Sequence, residues 1–191
     1  LILWGNFSSL RDAALDEIGA EFTGRSLQVA CVYGDFSQRA ASRLDENGCL
    51  DIVDVAPVQL ENVKKKIDEF SNVHLHHQDS ADLDFEDDAF DNVILFFLLH
   101  EQPEEVRQKT VREALRVVRP GGKVVFVDYH RPRLFNPFRY VMIPILHFLE
   151  PFALDLWKHE IKDWMPGRNS LRSITKKTFF GSLYQKVVVV K

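Results

Sequence analysis

The sequence predicts an α/β protein, a doubly wound and mostly parallel sheet closed by an antiparallel C-terminal hairpin. Three observations predict it. Short apolar runs alternate with amphipathic helical stretches from Leu27 to Val127, the order that builds parallel sheets from right-handed crossovers. Phe90 to Leu98 is a near-continuous apolar run, the pattern of a central parallel strand covered on both faces. Near the end, Ile174 to Phe180 and Leu183 to Val190 flank Gly181-Ser182, a hairpin signal.

Each element follows from local pattern. From about Ser8 to Ile18 the apolar positions Leu10, Ala14, Leu15 and Ile18 have helical spacing, with Gly19 as the stop. Leu27 to Tyr33 is a short, partly β-branched buried strand, and helix signals then run to Leu44 before Gly48 breaks the chain. Cys49 to Val55 is the second strand. Pro57 opens a helix through Phe70, at the first helical position that proline prefers. Val73 to His76 is a short third strand. Pro103 to Val118 is a helix with Val106, Val111, Ala114, Leu115 and Val118 on its apolar side. It stops at Pro120-Gly121-Gly122, which feeds the strand Lys123 to Val127.

Composition narrows the class. With 191 residues, 46% hydrophobic and 27% charged, the chain fits one folded domain over residues 1–191 with a substantial core. A net charge of -4 gives no reason to expect nucleic acid. Two cysteines, Cys31 and Cys49, make neither a disulfide framework nor a metal cluster, and Cys31 is expected inside a strand. The apolar opening Leu1-Ile2-Leu3-Trp4 is too short for a signal segment and has no basic flank; a chain beginning at Leu1 leaves an upstream segment open.

Ligands of open α/β sheets bind beyond the carboxyl ends of the strands, at the switch in strand order. The residues expected there are Tyr33 to Ser37, Asp54, Asp79, His100-Glu101 and Asp128-Tyr129-His130. Asp54 lies 20 residues beyond Gly34, near the spacing of an acid that accepts ribose hydrogen bonds. Asp79 would accept from an adenine amino group. A strand-end aspartate also serves as a plain cap or turn residue, but the two acids and the Pro-Gly-Gly break together favour cofactor binding. The first turn, which should be glycine-rich, instead reads Ala30-Cys31-Val32-Tyr33-Gly34-Asp35-Phe36-Ser37.

Leu27 to Pro132 resembles the class I S-adenosylmethionine-dependent methyltransferases, in the branch acting on quinones and small lipids. The phrases that carry the resemblance are Asp54-Val55-Ala56-Pro57, Asp79-Ser80-Ala81-Asp82-Leu83, Phe90-Asp91, Arg116 to Gly122 and Val127-Asp128. It implies a Rossmann-like, seven-stranded sheet and S-adenosylmethionine held by Tyr33, Gly34, Asp54, Val55, Asp79 and Ser80. The family's Asp/Glu-x-Gly-x-Gly-x-Gly turn falls on Ala30, Val32, Gly34 and Phe36, so its acid and two glycines are missing. That departure is similar to the rhodoquinone-biosynthesis subgroup, as are Val32-Tyr33-Gly34, Trp164-Met165-Pro166, the tail Thr178 to Lys186 and the opening Leu3 to Phe7. The subgroup implies that S-adenosylmethionine gives its amino group, that ubiquinone becomes rhodoquinone, and that manganese takes part.

Bulk from Val32, Tyr33 and Phe36 is expected where the methionine portion normally lies; a turn decayed in a non-catalytic protein is the alternative. Amino donation would need a base, a Lewis acid on the quinone carbonyl and a dry site. His100, Tyr33 and Asp35 are the candidate catalytic residues, and His100, Asp128 and His130 the candidate Mn²⁺ ligands, a mixed imidazole and carboxylate set. As a base, a histidine of ordinary pKa near ~6.5 is already poised. The bland readings are that His100-Glu101 stands where ordinary methyltransferases carry His-His without metal, and that His130-Arg131-Pro132 is a common post-strand phrase. Asp35 and Ser37 are rival candidates for holding the donor amine. His74, His76 and His77 fit a solvated strand edge, with His77 on the opposite face from the other two.

Residues 134–157 are apolar and aromatic but interrupted by Arg139, Pro144, His147, Glu150, Pro151 and Asp155, so a membrane span is not expected. With Arg131 and Arg133 alongside, the segment suits a lid that touches a bilayer surface; an ordinary helix packed on the sheet is the alternative. Three functions follow. The first is a peripheral membrane enzyme making rhodoquinone from ubiquinone, on the cytoplasmic side of a bacterial inner membrane or the matrix side of a mitochondrial one. The second is a conventional C- or O-methyltransferase on a quinone or lipid. The third is a catalytically inactive partner in quinone synthesis.

Overall fold

The computed structural model describes residues 5–150 and 152–191. The opening Leu1 to Trp4 and the interruption at Pro151 lie outside them. Seven strands are present among the described residues: β1 (Arg25–Val29), β2 (Cys49–Asp54), β3 (Val73–His77), β4 (Phe90–Phe96), β5 (Val118–Tyr129), β6 (Ser173–Phe179) and β7 (Tyr184–Val190). They form one sheet in the order β3-β2-β1-β4-β5-β7-β6. The first five are parallel, and β7 joins β5 antiparallel, followed by β6. This is the doubly wound sheet with a terminal hairpin that the sequence predicts.

The helices are α1 (Phe7–Ile18), α2 (Phe36–Ala41), α3 (Pro57–Ile67), α4 (Glu104–Val117), α5 (Phe138–Leu149) and the short α6 (Ala153–Leu156). In β4, Val93 to Phe96 are consecutively buried, and in β5 so are Val124 to Val127. Successive strand residues point to opposite faces, so both faces of the sheet centre are covered. Helix α1 packs on β4, β5 and β7, and α3 on β2 and β3.

Some boundaries move. Helix α2 ends at Ala41 rather than Leu44, because Leu44 is drawn into a bridge with Phe22. Strand β5 starts ahead of the Pro-Gly-Gly break: Val118 pairs with Phe90 and a register shift follows before Asn92 pairs with Lys123. Gly121 N donates to Lys191 O, and Lys191 N donates to Gly122 O, so the break is absorbed by pairing with the chain's last residue. The edge strand β3 leaves His74 and His77 exposed, as expected, while His76 Nε2 sits 2.6 Å from Asp51 Oδ1.

Candidate active site

The strand order reverses between β1 and β4, where successive connections leave in opposite directions. A cavity of about 700 Å³ opens there, above the carboxyl ends of β1 to β5. Its wall has two halves.

The first half is built by the ends of β1, β2 and β3. Asp54, almost fully buried, closes β2. Its Oδ2 accepts from Cys31 N at 2.6 Å and its Oδ1 from Ala56 N at 2.8 Å, so one carboxylate ties the β1 turn to the start of α3. Asp79 and Ser80 follow β3. Asp79 Oδ1 accepts from Ala81 N at 2.9 Å, while Ser80 Oγ accepts from Gln102 Nε2 at 2.9 Å and sits 3.0 Å from Thr110 Oγ1. Tyr33, Asp54, Val55, Asp79 and Ser80 all line the cavity.

The altered turn takes positive φ at Ala30 and at the one retained glycine, but not at Val32 or Phe36, where the family's other glycines fall. Ala30 adopts φ 71° and Gly34 φ 87°; a Cβ on Gly34 would meet the Phe7 ring at 2.9 Å. Only Gly34 thus needs to be glycine, and it shapes the turn without lining the cavity. Val32 and Tyr33 do line it, Tyr33 being 64% exposed. Phe36 corrects an expectation. It is fully buried and stacks on Phe96 with centroids 4.5 Å apart, so it fills the core rather than the methionine seat.

Asp35 and Ser37 are also turned away. Both Asp35 oxygens accept from Arg11 Nη1, at 2.6 and 2.7 Å, and Oδ2 accepts from Arg39 Nε at 3.2 Å. Burial pushes the Asp35 carboxyl up, but the two arginines outweigh it and hold it below the usual range. Ser37 Oγ is buried against Gln28 Nε2. Neither reaches the cavity lining, so neither is a catalytic group there. Cys31 lies in the turn beyond β1, not inside the strand. Burial, helped by Asp54, pushes its thiol up to about 12, which removes it as a nucleophile at neutral pH.

The second half is built by the loops after β4 and β5 and by the end of α5. His100, 5% exposed, lies in a 3₁₀ turn after β4 (Leu99–Glu101). Its Nδ1 is 2.9 Å from Asp128 Oδ1, and its backbone N donates to Asp128 Oδ2 at 3.3 Å. On its other side, Nε2 lies 2.9 Å from Glu150 Oε2, an ion pair without hydrogen-bond alignment, and Glu101 Oε1 is 3.9 Å away. Burial alone would push the imidazole down; Asp128 and then Glu150 overcome it and raise its pKa to about 10. His100 is therefore a cation at neutral pH, not the poised base expected from its ordinary value. Phe97 and Tyr129 pack edge-on against its ring, with centroids 5.9 and 4.8 Å away.

The expected metal triad does not assemble. His130 leaves the sheet as its backbone N donates to Leu183 O. Its Nδ1 lies 2.9 Å from Ser182 O and its Nε2 2.8 Å from Lys176 Nζ, away from the cavity lining. Both nitrogens of His100 already face carboxylates. Among the described residues no group of three or more His, Cys, Asp or Glu side chains is arranged to hold a metal. The residues present do not fit Mn²⁺ at this position.

Three residues that matter were not singled out from sequence. Glu150 entered only as an interruption of an apolar stretch, yet it reaches His100. Gln102 links the two halves through Ser80. Arg107, fully buried on α4, donates from Nε to Leu99 O and from Nη2 to Gln102 O and Phe152 O, clamping the His100 turn to the segment after α5.

The fold and the cavity at its strand switch define a protein of the methyltransferase class. The chain matches the methyltransferase domain family over residues 27–122 and belongs to it. Among curated proteins it is similar to the demethylmenaquinone methyltransferase of Bacillus licheniformis, 25% identical over 176 residues, covering 92% of this chain and 75% of that one. Among solved structures it is similar to an S-adenosylmethionine-dependent methyltransferase from Aquifex aeolicus, with a TM-score of 0.66, 17% identity, and 97% and 92% of the two chains covered. It also superposes on phosphoethanolamine N-methyltransferase 2 of Haemonchus contortus in complex with S-adenosylmethionine, with a TM-score of 0.72, 15% identity, and coverage of 96% and 52%. Those two likenesses speak for the fold.

Proposed function

We propose that the chain binds S-adenosylmethionine and uses its amino group to convert ubiquinone to rhodoquinone. The observation that carries this reading is the division of the cavity. Asp54, Val55, Asp79 and Ser80 offer an adenosyl seat; Val32 and Tyr33 line the adjoining turn where the family carries glycine at position 32; and Glu101 and Glu150 set carboxylates at the far end, beside cationic His100. A carboxylate-lined acceptor end suits a donor whose ammonium must approach and lose protons. When bound, S-adenosylmethionine would supply the nitrogen.

The exchange forms a C–N bond as a ring C–O bond breaks, with the methoxy group leaving as methanol. The donor's own N–Cα bond must then break, the nitrogen keeping the electron pair while a neighbouring carbon gives up a proton. In this reading Glu101, whose side chain is 63% exposed, takes protons and passes them to water. His100 donates a charge-assisted hydrogen bond to the quinone oxygen as negative charge builds, once Glu150 yields its place at Nε2. Phe97 and Tyr129, packed edge-on against the His100 ring, shield the imidazole itself from water. No step here runs through manganese. The enzyme would work where ubiquinone is held, on the cytoplasmic side of a bacterial inner membrane or the matrix side of a mitochondrial one.

A second reading is methyl transfer to a quinone, favoured by the demethylmenaquinone methyltransferases among the relatives. One experiment separates the readings: incubation with ubiquinone and S-adenosylmethionine, with and without Mn²⁺, followed by mass spectrometry. Methoxy-to-amino exchange lowers the quinone mass by about 15 units, whereas methylation adds about 14. With donor labelled at the methionine nitrogen, aminated product free of label would overturn the amino-donor reading.

A further inference from the structure

We infer that the outer face of residues 134–148, together with the tip of the β6–β7 hairpin, docks onto an anionic lipid bilayer. Helix α5 buries one stripe, Met142 and Leu146, against the protein. A surface helix ordinarily turns its other side polar. Here that side is apolar: Phe135 is 98% exposed and Phe148 81%, with Leu134, Tyr140, Val141 and Ile143 exposed between them. Phe180 at the hairpin tip extends the face. Asn136 Nδ2 donates to Phe180 O at 3.0 Å, and the Phe138 and Phe180 rings are 4.9 Å apart. Scattered exposed apolar residues need no explanation, but an aromatic face built from two elements does.

Charge selects the occupant. Between His130 and Glu150 the sequence carries Arg131, Arg133 and Arg139 and no acidic residue, in a chain of net charge -4. Arg131 and Arg133 are exposed. Arginines beside an aromatic face complement lipid phosphates and anionic headgroups. A second copy of the same face would set arginine against arginine. Among the described residues no helix is long and apolar enough to cross a membrane, so the contact lies along the surface. Helix α5 leads into Glu150, which lines the cavity, and a docked α5 brings that edge of the cavity to the bilayer. The inference goes beyond the reaction proposed above, since it concerns where the protein sits and not which group it transfers.

Sedimentation of the full chain with vesicles tests it. Vesicles of phosphatidylcholine with phosphatidylglycerol are expected to pellet the protein about tenfold or more better than phosphatidylcholine alone, with the difference shrinking in high salt. The double substitution Phe135→Ser and Phe148→Ser should weaken binding about tenfold or more without moving the melting midpoint, because both rings are exposed. Arg131→Glu with Arg133→Glu should abolish the preference for anionic lipid. Failure to pellet with the anionic vesicles, equal capture by both lipids, or indifference to the phenylalanine pair would overturn the inference. So would a dimer in sedimentation velocity that the same pair dissolves while vesicles are ignored. Turnover of a short-chain, water-soluble quinone by the same variants keeps the two proposals apart: docking lost with turnover kept sinks neither chemistry nor fold.

Discussion

Asp128→Asn perturbs the group on which the electrostatics of the acceptor end turn. In the native protein Asp128 is 1% exposed and holds His100 through both its ring Nδ1 and its backbone N. The amide keeps the volume and one acceptor but removes the charge. His100 has its pKa raised to about 10 in the fold, against an ordinary value near ~6.5 in the unfolded chain. A group whose folded pKa is raised contributes stability that is fully present below its unfolded pKa and fades as pH climbs through the folded one. At pH 7 the gap to about 10 is roughly three units, or about 4 kcal/mol at ~1.4 kcal/mol per unit. That is an upper figure for Asp128 alone, because Glu150 supplies part of the rise and stays in place in the variant. We expect Asp128→Asn to lose about 2–4 kcal/mol at pH 7, with the loss shrinking toward pH 10.

Two measurements check this. Urea melts between pH 6 and pH 10 read the stability difference between native and variant protein. The Cε1 proton of His100, followed by NMR, reads the protonation state directly. In the native protein it should show no titration from pH 5 to 8; in Asp128→Asn it should titrate within that range. A native His100 that titrates near pH 6.5 would refute the claim that its imidazole is held as a cation, and with it the hydrogen bond assigned to His100 in the reaction.

Three further outcomes follow from the same geometry. Phe36→Ala should destabilise by about 3–5 kcal/mol in a urea melt, as the loss of a fully buried ring does, while leaving the calorimetric affinity for S-adenosylmethionine within about twofold once the folded fraction is corrected for. Tyr33→Gly should do the reverse: stability within about 0.5–1 kcal/mol, but a changed donor affinity and a changed ratio of aminated to methylated quinone; an unchanged ratio would remove Tyr33 from the chemistry. Cys31, its thiol pushed up to about 12, should resist iodoacetamide at pH 8 in the folded protein and react on unfolding, with rapid native-state labelling as the contrary result.

The sheet was legible because its strands are apolar runs bounded by breakers. Phe90 to Leu98 has the pattern of a covered central strand, of which β4 takes Phe90–Phe96, and the hairpin at Gly181-Ser182 sits where the backbone takes positive φ. Asp54, Val55, Asp79 and Ser80 were legible for a related reason: parallel strands deliver their last residues to one edge, so position in the chain fixes position in space. The first turn was only half legible. Spacing put Phe36 at a family glycine and so at the ligand, but its ring is long enough to reach Phe96 beneath the turn, and burial against an aromatic core favours that side.

The acceptor end was hidden for a different reason. Asp128 and His130 are two residues apart, and on a continuing strand they would share a face; β5 ends at Tyr129, so His130 follows the hairpin instead. What replaces it comes from far along the chain. Glu150 is the single acid between Asp128 and Asp155, and a lone carboxylate in an apolar stretch is costly to bury unless a cation meets it. That cost was the available signal. Read as an interruption it argued against a membrane span, but read as chemistry it required a partner, and His100 is the buried imidazole that α5 brings within 2.9 Å. The same contact makes the apolar segment part of the site, since withdrawing Glu150 leaves His100 with only one close carboxylate and opens its Nε2 to whatever the cavity holds.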